Sequence, residues 1–228
     1  MHIRRIRGVV TALLMVFAAS VFAAFATHAQ DLPTTTETSR DHAELEALFW
    51  ARQDSLRSVY TQADVDFMIG MIGHHAQALI MSRLAPENGA SQSVQTLAAR
   101  IINAQNDEIE TMQRWLRDRG EPVPQIHIDG LNLMIHGVEG HHEHTHMPGM
   151  LSDAQLHELA AAQGPEFDRL FLTYMIQHHS GAIVMVDELL SHDGAAQDQA
   201  AFKLAADINV DQATEIARME LMLSRLSD

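Results

Sequence analysis

A chain of 228 residues that carries 15 Lys and Arg against 30 Asp and Glu, and no cysteine, has room for one large or two small domains. Its formal charge of −15 disfavours nucleic acid and anionic membranes as partners, because phosphate attracts the opposite sign. Without cysteine there is neither a disulfide framework nor a thiolate metal site. Methionine and histidine remain as the soft and borderline ligands, and the chain has 13 Met and 15 His.

The N-terminus reads as a leader. Arg4, Arg5 and Arg7 precede an apolar run over residues 8–26, and "THAQD" follows. That pattern predicts an exported chain cleaved after Ala29, into the periplasm or the medium, with an uncleaved membrane anchor as the alternative. Removing residues 1–29 leaves 12 basic against 30 acidic residues, a formal charge of −18. Residues 30–63 then comprise a polar linker and a helix over about 41–60, with Leu45, Leu48, Phe49 and Leu56 in a loose stripe.

From there the pattern is helical almost to the end. Asp64 is placed to cap a helix that stops near Pro86 and Gly89, and the next helix covers about 93–117. "EPVPQIHIDG" breaks the pattern and opens a predicted loop, rich in His and Met over 134–150. Ser152 with Gln155 forms a capping box for a short helix. A long helix follows over about 166–190, and a last one closes the chain over about 196–226. The reading is all-α, with no convincing β-hairpin.

Two of these helices repeat each other. "MIGHHAQALIM", Met71 to Met81, returns as "MIQHHSGAIVM", Met175 to Met185, at a shift of 104. Asp64 and Phe67 match Asp168 and Phe171 in the same frame. "QNDEIETM", Gln105 to Met112, returns as "QATEIARM", Gln212 to Met219, at a shift of 107. The unit is a helical hairpin whose apolar face needs a second copy to bury it, so residues 64–228 are expected to form a pseudo-twofold four-helix bundle.

On a helix, Met71, His74, His75 and Met81 share one side, as do Met175, His178, His179 and Met185. Adjacent histidines diverge by about 100°, so one of each pair can point centrally while the other faces a neighbouring helix or the bundle's edge. A methionine stripe is most often core packing, and a lone core histidine is usually a satisfied hydrogen bonder. Two His pairs in matching frames inside an apolar stripe are different, since each imidazole must find partners or cost about 1–3 kcal/mol. They point to metal. Thioether with imidazole favours Cu(I), and Ag(I) as its soft analogue, over Zn(II). A di-iron set would need inward glutamates and Glu-x-x-His on the helices; Glu108 and Glu215 are too few.

The loop is a second constellation. His136, His141, His142, His144, His146, Met147 and Met150 fall within "MIHGVEGHHEHTHMPGM", a compositional metal signal that suits Cu(II) through imidazoles or Cu(I) through thioethers.

Both motifs, "HMPGM" and the two Gln-x-x-Glu-Ile-x-x-Met echoes resemble the family known as domain of unknown function 305, which includes exported copper-binding proteins of the CopM type. The resemblance covers about residues 64–226. It implies a ferritin-like bundle that binds Cu(I) or Ag(I) outside the cytoplasm and supports copper tolerance; metal ions are the expected partners, with a copper-transfer protein as a candidate that the sequence does not identify. It carries the metal role to Met71, His74, His75, Met81, Met175, His178, His179 and Met185, with Met112 and Met219 as further thioethers. The first motif departs from the second at Gln77 and Leu79, where the second has Gly181 and Ile183, so the two halves need not be equivalent. The expected protein is not an enzyme, since no acid/base set or substrate pocket is apparent. The alternatives are a metal-dependent oxidoreductase of the same fold and a module whose histidines sense pH.

Overall fold

The computed structural model describes residues 35–57, 59–138 and 147–226. The leader and the loop histidines His141, His142, His144 and His146 lie outside the described residues. The chain divides into two compact units, one ending at Arg52 and one beginning at Gln53.

The helix α1, Thr35–Arg57, lies in the first unit up to Arg52 and starts six residues earlier than its periodicity predicts. Its Leu45, Leu48, Phe49 and Trp50 are exposed, and the Phe49 and Trp50 rings meet edge to face.

The second unit is built on α2, Gln62–Glu87, and α3, Gln92–Asp118, followed by a β-hairpin and the short α4, Asp153–Ala161, then α5, Gly164–Ser191, and α6, Gln199–Leu226. α2 packs on α3 and α5 on α6, while α2 and α5 meet along the middle. Together they form the helical bundle that the repeat predicts.

Reciprocal hydrogen bonds tie the two hairpins together. Asp64 is not the cap of α2 but the third residue of its first turn. One carboxylate oxygen accepts from the Thr61 amide and hydroxyl, both at 2.8 Å. The other accepts at 2.7 Å from the amide of Ala196, in the turn between α5 and α6. Asp168, its partner in the repeat, accepts at 3.1 and 3.3 Å from the amide of Ser91, between α2 and α3. Each motif aspartate therefore fixes the other hairpin's turn, and α2 and α5 run antiparallel. Both carboxylates are buried, so these bonds offset a desolvation cost that would otherwise stand.

The predicted loop is corrected in its first part. Gln125–Asp129 (β1) and Asn132–His136 (β2) pair antiparallel, with Asp129 opposite Asn132 across the two-residue turn Gly130-Leu131. Gly130 has φ +60, the left-handed geometry that such a turn requires of its first residue. Ile126, Ile128 and Leu133 alternate toward the bundle core, while His127, Met134 and His136 face outward. α4 has the expected capping box between Ser152 and Gln155.

Candidate metal centre

The four motif histidines lie at the middle of the bundle, all with no exposed surface. Helical geometry splits each pair. His74 of α2 and His178 of α5 meet across the antiparallel contact with ring centroids 3.9 Å apart. His75 and His179 turn outward to the second helix of their own hairpins. There His75 Nε2 lies 2.6 Å from Glu108 Oε2, and His179 Nε2 lies 2.7 Å from Glu215 Oε2. The two dyads are images of each other, and they explain the repeated Gln-x-x-Glu-Ile-x-x-Met. Its glutamates are not ligand candidates in excess of the histidines. They are the acceptors that orient them.

The hydrogen bonds fix the tautomers. Carboxylate and carbonyl oxygens accept, so Nε2 of His75 and His179 carries the hydrogen. His74 Nε2 also donates, at 3.0 Å, to the carbonyl of Pro148 in the connector between the hairpins. In all three rings Nδ1 is the nitrogen left over, and each Nδ1 is buried without a partner. His178 has neither nitrogen bonded. Burial, and next the charge that His75 would add, pushes His74 down to about 3. Burial, and next His74, likewise holds His178 well below its ordinary value. Both rings are neutral at physiological pH, which is the form that ligates a metal.

The methionines flank this tetrad in two lobes. Met71, Met112 and Met185 belong to one half of the core, and Met81, Met175 and Met219 to the other. Each lobe draws on both hairpins, and the repeat exchanges one for the other. All are fully buried except Met185, at 8 % exposure. No group of three or more His, Asp or Glu side chains poised for one ion occurs among the described residues. The candidate donors in this part of the core are therefore imidazoles and thioethers.

The connector breaks the symmetry. Pro148 and Gly149 lie directly on α5 at Gly181, where an added Cβ would stand 1.9 Å from the Pro148 carbonyl oxygen. On the facing helix Gln77, the counterpart of Gly181, donates to the Leu151 carbonyl at 3.0 Å and accepts from its amide at 2.8 Å. The departure between the two motifs thus seats a single strand over the two central histidines. Met147 and Met150 are part of this strand and half-buried, so Met147 belongs with the bundle. Sequence reasoning kept it with the loop because a backbone carbonyl and a missing Cβ leave no ligand-like signature.

The family model described as domain of unknown function (DUF305) matches residues 64–223. The chain belongs to the DUF305 family. A DUF305 fragment from Deinococcus radiodurans is 31% identical, covering 73% of this chain and 98% of its own, with a TM-score of 0.59. A DUF305 protein from Streptomyces coelicolor is 25% identical, covering 72% of this chain and 92% of its own, with a TM-score of 0.60. CopM in its Cu(II)-bound form is 28% identical, covering 71% of this chain and 96% of its own, with a TM-score of 0.53. CopM has also been crystallised with Cu(I) and with Ag. Among curated proteins none matches this DUF305 chain.

Proposed function

We propose that this DUF305 protein binds Cu(I), and Ag(I) as its analogue, without catalysis, and that it sequesters or hands on copper outside the cytoplasm in support of copper tolerance. One observation carries this reading: four buried imidazoles present unpartnered nitrogens between two lobes of thioethers, while three of them are oriented through their other nitrogen. Histidine ligands of metals are oriented in this way, by a carboxylate or backbone carbonyl on the far nitrogen. As plain packing it would be costly, at about 1–3 kcal/mol for each orphaned polar atom. Thioethers with imidazole select a soft monovalent ion. The copper and silver forms of CopM, at 28% identity, support the choice of ion. The leader-like N-terminus supports export, and no helix of the described residues is long and apolar enough to cross a membrane.

A pH-sensing role fits less well, because burial moves His74 down to about 3, out of the physiological window. Competition against a Cu(I)-specific chelator tests the reading, with untagged protein under reducing conditions. The protein is expected to take Cu(I) from the chelator and to bind Zn(II) far more weakly. Zn(II) held tightly with no competition for Cu(I) would reverse the assignment.

A further inference from the structure

The geometry points to a second soft-cation site, at the mouth of the bundle, where Met147 of the connector and Met185 of α5 converge on the space that Gly70 leaves open. It rests on the soft-cation reading of the tetrad and concerns residues that the repeat does not relate to one another.

Gly70 lies within α2, partly exposed, one turn before His74. A Cβ added there would stand 3.4 Å from the Met147 sulfur and 3.5 Å from the Met185 methyl carbon. Two thioether ends thus flank the same point from two different segments. Those distances are ordinary van der Waals contact, so an alanine would fit. It would also be the better helix residue, since glycine inside a helix is disfavoured relative to alanine. Packing therefore gives no reason for the glycine. A cation held between the two sulfurs does, because it would need the volume that a methyl group fills.

Met147 is also held in place before any ion arrives. The next residue, Pro148, accepts from His74 Nε2 at 3.0 Å, Gly149 rests on α5 with φ +76, and Gln77 grips Leu151 on both sides. A thioether on so constrained a strand loses little freedom on binding. The opposite mouth has no such feature. The counterpart of Gly70 is Tyr174, whose hydroxyl is bound to Glu158. The pair of thioether ends is thereby confined to one end of the repeat, beside Gly70, one helical turn before His74.

The test is an Ag(I) titration of the full chain with 13C-labelled methionine methyl groups, followed by NMR, for the wild type, Gly70→Ala and Met147→Leu. In the wild type the Met147 and Met185 methyl signals are expected to shift together over the same equivalent of Ag(I). In Gly70→Ala, with the melting temperature unchanged or higher, the joint shift should vanish, one equivalent should be lost, and Ag(I) should reach the core methionines at least tenfold more slowly. Met147→Leu should reproduce that loss without touching α2. Unchanged stoichiometry and loading in both variants would overturn the mouth site while leaving the central reading intact. A wild type that binds no Ag(I) at all would overturn both.

Discussion

At the scale of single residues, His178 separates a ligand from a core residue most sharply. Both of its ring nitrogens are buried and unbonded, so in the metal-free protein it is a liability. Replacement by leucine, similar in volume and without polar atoms, should raise the stability of the apo protein by about 1–3 kcal/mol while removing the tightest Cu(I) event. Paired denaturation and chelator-competition curves check this. A destabilised variant that still competes for copper would mean that the ring is there to pack. Acid should act on the same rings. His74 falls from an ordinary value near 6.5 to about 3 on folding, chiefly through burial. Below pH 6.5 the unfolded chain therefore binds a proton that the folded one refuses. Stability from this group is complete above pH 6.5 and is lost progressively as pH falls toward 3, by about 2 kcal/mol at pH 5. His178 shifts in the same direction and adds to the loss. Urea midpoints of the apo protein between pH 7.5 and 5 would show the decline, and a flat profile would show that the rings are not dry.

At the scale of elements, the departure at Gln77 and Gly181 is where the two hairpins stop being copies. Gly181→Ala would drive a methyl group into the Pro148 carbonyl, a backbone neighbour that cannot rotate away. The connector should lift from α5 at a cost of about 1–3 kcal/mol, freeing His74 Nε2 from its acceptor. Hydrogen exchange at the Leu151 amide, which Gln77 holds, should speed up, and an unchanged exchange rate would show that the strand sits elsewhere. The helices themselves were legible in the sequence. Period 3.6, the Ser152–Gln155 box and the glycines at their ends placed the helices of the bundle to within a few residues, while the start of α1 lay six residues further out. The β-hairpin was not recognised, although Ile126, Ile128, Leu133 and Ile135 alternate around Asp129-Gly130. Its strands have five residues each, too short to stand out beside His-rich sequence that suggested a loop. The site was legible as residue types and only half legible as geometry. The repeat named all four histidines and six of the seven buried methionines, missing Met68. That His74 and His178 meet while His75 and His179 turn to Glu108 and Glu215 depends on how the helices are rotated about their axes, which spacing alone leaves open.

At the scale of the molecule, the distribution of buried residues predicts that neither hairpin folds by itself. Over residues 64–82 of α2 only Asp66 and Gly70 are not buried, so this helix is covered on every side, a condition that a two-helix hairpin cannot provide. With α3 alone, α2 would expose the face that carries His74 and the Met81 side chain, and Asp64 would lose the Ala196 amide. α5 is the mirror case, with Asp168 separated from Ser91. Each methionine lobe would also be divided, since Met185 lies with Met71 and Met112, and Met81 with Met175 and Met219. Fragments covering residues 53–124 and 147–228 should therefore be largely unfolded apart and should not compete for Cu(I). Mixed in equal amounts they should recover helix, melt as one transition and compete again, because only the complex restores the aspartate bonds and both lobes. Circular dichroism of each fragment and of the mixture is the measurement. A fragment that melts cooperatively alone, or holds Cu(I) as tightly as the whole chain, would show that the duplicated unit is self-sufficient and that the centre does not depend on joining the two halves.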